Sequence, residues 1–447
     1  MDELRHGNDG HEHVGAFGGD DLVSDVEPVA YDLDADAGNP PAADVVALPS
    51  ALAEAVQREA VALEADPEAP AAEPARRFRR RKAGEATERV RTRGKQVKKL
   101  VGLKVGASQV AAARVVNNGV PELVDVAREP LEPGVVVSGE LRDPEELAGA
   151  LERLFSRHKL PKKGVRLGLF NNRVGVRVFE IENVTDPHQL DNAIRYRAEE
   201  VLPIPLDEAV LDYVVLGEGA REDGTPFRRI LLVVAYREVV ERYLQACRAA
   251  GLEVVGIDLE AFALLRALAA PEDRDPEAGA LVAVAVGHDR TTIAVSSGRF
   301  CEFTRVLDWG GWTLNVAIAR ELNLAPSEVE VFKRQLSFAE ETAVAGLTPE
   351  QVQKARGAVQ RALAAFAREL IASLHFYQAQ PGALGIGEIV LTGGTAHMSG
   401  FAHALGTLLG VPVRVGDPLA RVKLSVDLEP GAPLGSLTVA IGLGIED

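Results

Sequence analysis

Cysteine is nearly absent from this 447-residue sequence, which holds only Cys247 and Cys301. Two thiols exclude a disulfide framework and any four-thiolate metal site, and the nine histidines form no HExxH-type pair. No apolar run reaches the about 18 residues of a membrane span, and the acidic N-terminus lacks the apolar core of a signal peptide. These absences predict a cytoplasmic protein in a reducing compartment.

Charge is unevenly distributed along the chain, whose formal net charge is −17. Residues 1–75 hold 18 acidic and 2 basic side chains, whereas residues 76–99 hold 12 basic and 2 acidic ones. The acidic segment is rich in Ala, Pro and Gly, and it has too little apolar surface to offset the entropy of ordering. We therefore predict a disordered tail over 1–75, in which only 51–65 has the apolar spacing of a short helix.

The basic segment 76–99 is predicted to be a linker. Two roles stay open for it: a solvated linker partly neutralised by the acidic tail, or a contact with anionic lipid headgroups. Its only aromatic side chain is Phe78, and single-stranded nucleic acids bind by stacking on several aromatic side chains. No nucleic-acid partner is therefore expected.

A strand, a glycine-containing polar turn and a second strand are predicted twice, at 102–115 and again at about 280–300. Such tight turns point backbone amides and hydroxyls outward, where they can hold an anion. Two of these hairpins facing each other across a cleft would cradle a polyphosphate, so the weak internal repeat motivates a nucleotide-binding hypothesis.

Alternating strand and helix patterns over the rest of the chain predict an α/β architecture. The segment 143–159 reads as a helix with Asp143 as its N-cap. Between 171 and 251 the patterns run strand, helix, strand, strand, helix, which predicts a compact module of its own with helices packed on a small sheet.

Several motifs together resemble one protein family. They are GLKVGAS (102–108), AVGHDRTT (285–292), FTRVLDWGG (303–311), IVLTGGTAHMSGF (389–401), IPLDEAVLDYVVL (204–216), SLHFYQAQ (373–380) and LTVAIGLGI (437–445). The first four are similar to the phosphate and adenosine motifs of actin-like ATPases. With the other three, the sequence from about 100 to 447 resembles the PilM family, the cytoplasmic actin-like component of type IV pilus assembly.

The resemblance implies an actin-like ATPase fold, with two lobes around a nucleotide cleft. Subdomain 1A would comprise 100–170 and 252–278, an inserted subdomain 1C of the FtsA and PilM type 171–251, and subdomains 2A and 2B 279–447. The family binds ATP and Mg²⁺ between 1A and 2A. It also binds the N-terminal peptide of the inner-membrane protein PilN in a groove of the 1A/1C lobe, which 171–216 would line here, and it contacts the pilus platform and its motors at the membrane's inner face.

The resemblance also implies a set of cofactor-binding residues. In this sequence they are Gly106, Ala107, Ser108, Gln109, Gly287, His288, Thr291, Gly310, Gly311, Glu330, Lys333, Gly393, Gly394 and Thr395. Glycines of the last motif would let backbone approach a base or ribose closely. Glu330 and Lys333, one turn apart, would meet the ribose and adenine; an ordinary i,i+3 surface ion pair is the alternative.

Two departures from the family bear on catalysis. Lys104 and Ala285 stand where the family has the acids that position Mg²⁺ and the attacking water. His288 and Asp289, as exposed turn residues, are not expected to compensate. We therefore predict at most a weak ATPase, with ATP and Mg²⁺ binding both in question and no catalytic residue assigned.

The predicted function is that of a PilM-like scaffold that binds a PilN-like peptide, since peptide capture needs no catalysis. One alternative is an FtsA-like cell-division protein that polymerises at the membrane; such proteins carry a C-terminal amphipathic helix, for which the apolar segment before Asp447 leaves no room. A sugar or acetate kinase would need a carboxylate at the transferred phosphate, and the missing acids argue against it.

Overall fold

The computed structural model describes most of the chain from Lys98 onward. The described residues are 98–184, 186–202, 204–221, 223–270, 276–298, 300–339, 342–380, 382–426, 428 and 434–446, all within one contact-dense unit. The predicted acidic tail, its helix at 51–65 and nearly all of the basic segment lie outside the described residues. In the described part of the chain, no helix is long and apolar enough to cross a bilayer.

Sixteen strands are described, and most of them follow the predicted apolar runs. They are β1 (Lys99–Val105), β2 (Gln109–Val116), β3 (Glu122–Pro130), β4 (Val136–Val137), β5 (Glu140–Leu141), β6 (Lys163–Leu169), β7 (Val174–Glu182), β8 (Ala209–Ala220), β9 (Pro226–Tyr236), β10 (Glu253–Leu259), β11 (Ala280–Val286), β12 (Thr291–Ser296), β13 (Cys301–Leu307), β14 (Ile386–Thr392), β15 (Val413–Val415) and β16 (Lys423–Leu424).

Nine α-helices are described, and short 3₁₀ turns lie between some of the elements. The helices are α1 (Pro144–Arg157), α2 (Pro187–Val201), α3 (Arg237–Ala249), α4 (Glu260–Leu268), α5 (Gly311–Leu322), α6 (Glu330–Lys333), α7 (Pro349–Gln378), α8 (Phe401–Leu409) and α9 (Thr438–Gly444). Asp143 caps α1 as predicted, because its side chain accepts hydrogen bonds from the backbone of Glu145 and Glu146.

The two large sheets share one topology. In the first, β1, β2 and β3 form an antiparallel meander, and β6 and then β10 join β1 in parallel. In the second, β11, β12 and β13 form the meander, and β14 and then β15 extend it in parallel. The weak sequence repeat thus corresponds to a repeat of architecture; β16 is an added edge strand of the first sheet.

Helices α4 and α9 lie between the two large sheets. The apolar face of α4, including Leu264, packs on the second sheet, whereas α9 packs on β1 and β2 of the first. The close approach depends on glycine: a Cβ added to Gly102 would lie 2.0 Å from the carbonyl oxygen of Ala440. The glycines of the closing motif 437–445 thus have a packing role, since Gly442 meets Ala263 in the same way.

A third, three-stranded sheet has the order β7-β9-β8 and is the centre of the predicted module. Leu190, Ile194 and Ala198 recur at helical spacing on α2 and are buried with residues of this sheet. Helix α3 was expected to pack on the small sheet as part of a helical layer, but it packs elsewhere. Its buried stripe, which includes Tyr243, joins the core of the first large sheet together with α1. The subdomain boundaries stay a prediction.

Candidate functional site

Two glycine turns, one in each large sheet, close in the same way. The amide of Gly106 donates to the carbonyl of Gln109, 2.9 Å away, between β1 and β2. The amide of Gly287 donates to the carbonyl of Arg290, also at 2.9 Å, between β11 and β12. In the first turn Ser108 is exposed, while Ala107 and Gln109 are half-buried. Both predicted hairpin turns therefore form.

The second turn is packed against the start of α5. The amides of Gly311 and Trp312 donate to the carbonyls of Gly287 (3.0 Å) and His288 (2.7 Å). A Cβ added to Gly310 would lie 2.5 Å from the carbonyl oxygen of His288. The paired glycines thus allow a helix N-terminus to approach the turn.

The adenosine-like motif contacts the same turn. The hydroxyl of Thr395 donates to the carbonyl of Gly287 at 3.4 Å. Gly393 has φ +92°, and an added Cβ would lie 2.1 Å from the carbonyl oxygen of Val286. Gly394, in contrast, faces open space with no atom within 4 Å of a built Cβ. The two glycines therefore differ: Gly393 serves the packing of β14 against β11, and only Gly394 leaves room for a ligand.

Glu330 and Lys333 on α6 bind each other. Their Oε2 and Nζ atoms are 2.6 Å apart, and the buried Nζ of Lys333 also donates to the carbonyl of Gly311 at 3.2 Å. Asn315 donates to Glu330 at 3.0 Å. Burial lowers the pKa of Lys333 against the effect of Glu330. Burial would raise the pKa of Glu330, but the hydrogen bonds of Lys333 and Asn315 bring it below its usual value.

This pair has the i,i+3 geometry of the alternative considered from the sequence, with its lysine buried rather than at the surface. The ammonium of Lys333 is thus already hydrogen-bonded within the protein. A role of the two residues in contacting a ribose stays a prediction.

Lys104, the first of the two departures, is paired with an acid that the motifs did not point to. Its Nζ lies 3.4 Å from Oε2 of Glu260, the first residue of α4, and 5.5 Å from the ring centre of Phe170. The Glu260 side chain is 2% exposed, and its Oε1 has no hydrogen-bond partner among the described residues. Burial raises the pKa of Glu260, and Lys104 opposes that shift.

At Ala285, the second departure, the paired strand supplies no carboxylate in place of the missing acid. It pairs across the ladder with Thr292, and neither side chain carries a charge. Within the described ranges no three His, Cys, Asp or Glu side chains cluster in a way that could hold a metal ion. Mg²⁺ requires near-octahedral oxygen ligands, so the residues of these two strands do not fit the cation that the family implies.

Two turn residues are less exposed than expected from the sequence. His288 is half-buried with its ring 5.5 Å from that of Trp312, and burial lowers the pKa of His288. Oδ2 of Asp289 accepts from the amide of Ser138 at 3.2 Å, which joins the second turn to the β4–β5 hairpin. The expectation of exposed turn residues is therefore wrong, because the neighbouring elements cover them.

The hydroxyl of Thr291 also points inward. It is fully buried and donates to the carbonyl of Trp309 at 2.8 Å. The polar position of the predicted phosphate loop is thus satisfied within the protein, where it fastens β12 to the segment before α5. Its assignment as a ligand contact stays a prediction.

Comparison with known proteins decides the family. A model of the family described as type IV pilus assembly protein PilM matches residues 102–447. The chain belongs to the PilM family. A solved PilM-PilN type IV pilus biogenesis complex is 26% identical, with a TM-score of 0.64, over 78% of this chain and 98% of that one.

More distant structures are similar over a comparable length. The ethanolamine utilization protein EutJ from Carboxydothermus hydrogenoformans is 16% identical (TM-score 0.46; 77% of this chain, 89% of that one). MreB5 of Spiroplasma citri bound to ADP is 14% identical (TM-score 0.44; 77% of this chain, 94% of that one).

This PilM-family chain has the actin-like ATPase fold, and its role lies in type IV pilus assembly. The predicted fold class and family are confirmed. Both glycine turns form, and the second contacts the segments of Gly310–Gly311 and Thr395, but Glu260 was missed. A signal was present: Glu260 is the one acid in the otherwise apolar start of α4, directly after a strand.

Proposed function

We propose that this chain captures the N-terminal cytoplasmic peptide of a PilN-like inner-membrane protein and acts as a scaffold of the pilus assembly platform. Its cleft would bind ATP with weak or no hydrolysis. Membership of the PilM family supports the pathway, and the similar structure in complex with PilN supports the partner. The partner would hold the chain at the inner face of the membrane.

The observation that carries this proposal is the pairing of Lys104 with Glu260. Phosphoryl transfer depends on acids that hold Mg²⁺ and orient the attacking water. Here the strand position for such an acid holds the ammonium of Lys104, and the acid Glu260 is buried against that ammonium. Since each positioning contribution is worth orders of magnitude in rate, turnover would be very slow. Peptide binding needs none of these groups.

The proposed peptide site is a cavity of about 220 Å³ between β5 of the first lobe and α3. Its floor includes Leu141, Val239 and Tyr243, and its rim carries Glu140, Arg142, Arg173, Glu238 and Arg242. An apolar floor with a charged rim suits an extended peptide with alternating apolar and charged side chains. Arg173 comes from the segment 171–216 that the family resemblance assigned to the groove.

The test is a calorimetric titration of the chain with a synthetic peptide of the PilN-like N-terminus. We expect saturable binding that Arg173→Glu weakens about tenfold, because a rim charge is reversed. Arg153→Glu is the matched control: Arg153 is equally exposed, at 45%, and is paired with acids outside the groove. Absence of binding to the wild-type chain would refute peptide capture.

The hydrolysis part is tested separately by phosphate release at saturating ATP and Mg²⁺. We expect a rate close to that of a protein-free control. Turnover above a few per minute would contradict the argument from Lys104 and Ala285.

A further inference from the structure

Arg290, the last residue of the second glycine turn, is a buried cation with unused donors. Its side chain is 6% exposed, and Nη2 lies 2.6 Å from Oδ1 of Asp308. Nε and Nη1 are buried and have no hydrogen-bond partner among the described residues. Buried polar groups are almost always satisfied, and a buried guanidinium without acceptors is strongly unfavourable. The one N–H of Nε and the two of Nη1 thus have no acceptor among the described residues.

Asp308, the partner of Arg290 among the described residues, does not neutralise it fully. The Asp308 side chain is 71% exposed, so water screens its charge. The guanidinium therefore keeps positive potential close to Thr292, which pairs with Ala285, the position where the family resemblance implies an acid.

The strand register sets the face on which Arg290 lies. Thr291, the next residue, directs its hydroxyl towards Trp309 and α5. Side chains alternate along a strand, so Arg290 belongs to the opposite face, together with Thr292. Thr292 pairs with Ala285, the position that lacks the second acid. Arg290 and the missing carboxylate hence share one face of the sheet, which is the face that packs towards α4.

We propose that the cleft binds the polyphosphate of a nucleotide as a metal-free anion, and that Arg290 supplies the charge that Mg²⁺ supplies elsewhere. Lys104 cannot take this part, because Glu260 already pairs with it. Arginine suits phosphate, since its planar guanidinium presents several donors and stays charged. This inference rests on the nucleotide-binding half of the proposed function and names the form in which the ligand binds.

The fluorescence of Trp312 provides the readout of ATP binding. Its ring is partly exposed and lies 5.5 Å from that of His288, which is in the same turn as Arg290. ATP is titrated against the full chain with EDTA or with excess Mg²⁺, followed by tryptophan fluorescence and by equilibrium dialysis of labelled ATP. We expect binding in EDTA that is as tight as, or tighter than, binding with Mg²⁺, since a bound cation neutralises the phosphates. Tripolyphosphate, as the second probe, is expected to compete with ATP.

Three variants test the role of Arg290. Arg290→Met should weaken ATP binding in EDTA by about tenfold or more, as expected when hydrogen bonds to a charged group are lost. Asp308→Asn should tighten binding severalfold, because it removes the competing carboxylate from an exposed position. Arg290→Lys keeps the charge, and its affinity for ATP should lie between those of the wild type and Arg290→Met. If Arg290→Met fails to fold, Asp308→Asn and the EDTA titration still decide.

The possible failures are distinguishable. A strict requirement for Mg²⁺ would overturn metal-free binding, whereas unchanged binding in folded Arg290→Met would overturn the role of Arg290. Both results would leave ATP binding itself intact. No ATP binding under either condition would overturn both this inference and the nucleotide half of the proposed function. Capture of the PilN-like peptide is measured separately, and Arg290→Met is expected to leave it unchanged.

Discussion

Replacing Lys104 by Met should reveal how much the first lobe depends on its buried ion pair. The substitution keeps most of the side-chain length over Phe170 and removes only the ammonium that faces Glu260. Breaking a buried pair from one side costs about 3–5 kcal/mol when the remaining charge is trapped. Glu260 has an escape, because it can bind a proton.

That escape sets an upper limit to the loss. The unfolded carboxyl has a pKa of about 4.3, and each pH unit above it costs about 1.4 kcal/mol to keep the group protonated. Protonating Glu260 therefore costs at most about 3.7 kcal/mol at pH 7 and at most about 1 kcal/mol at pH 5. The part of the loss in Lys104→Met that comes from the unpaired charge of Glu260 is bounded by these values.

The sign of the pH dependence follows from the direction of the shift. Burial raises the pKa of Glu260 in the folded state, and without Lys104 nothing opposes this. The folded variant then binds more protons than the unfolded chain above pH 4.3 or so, and its stability falls as the pH rises. Lys104→Met should thus be close to the wild type at pH 5 and clearly less stable at pH 7 to 8.

Chemical unfolding followed by circular dichroism, with amide exchange of β1, measures the loss in the lobe that holds Lys104. The double variant Lys104→Met with Glu260→Gln is the control: it has no titrating group and should lose the extra pH dependence. An equal loss at pH 5 and pH 8 in the single variant, or no loss at all, would refute the role assigned to the pair.

Two further substitutions probe the glycine motif and α6. Gly393→Ala should strongly lower the melting temperature, because φ is +92° and the new methyl would lie 2.1 Å from a carbonyl oxygen. The control Gly394→Ala should melt at the temperature of the wild type, because its new methyl would meet no atom within 4 Å. Equal melting temperatures of the two variants would contradict the packing argument. Glu330→Gln should cost about 1–3 kcal/mol at pH 7, because it leaves the buried Lys333 without its counter-ion. Since the pKa of Glu330 is lowered in the folded state, the stabilisation that Glu330 gives the wild type is lost as the pH falls through that pKa. Chemical unfolding of the wild type and the variant at pH 7 and pH 4 measures this loss. An unfolding free energy of Glu330→Gln equal to that of the wild type would refute the role of the ion pair.

Local patterns carried most of the fold prediction. The apolar runs on both sides of Gly106 and Gly287, and Asp143 before an amphipathic segment, depend on neighbours a few residues away. The packing of α3 could not be anticipated in this way. Its apolar stripe fits either a small sheet or another helix equally well, and only the position of α1 decides between them.

The candidate site was harder to predict than the fold, because its chemistry depends on pairings between distant residues. The motif glycines could be located from their spacing. That Gly393 packs against Val286, whereas Gly394 faces open space, depends on the register of β14 beside β11. The inward hydroxyl of Thr291 depends likewise on the segment around Trp309.

The sequence by itself determined the order of strands, helices and turns and the absence of the family's acids at Lys104 and Ala285, since these follow from residue type and local spacing. Only the tertiary structure decided which charges are already paired. Lys104 meets Glu260, 156 positions away, while Arg290 is buried with donors to spare. The physical reason is that burial and ion pairing arise from contacts between segments, and no stretch of the chain encodes its own desolvation.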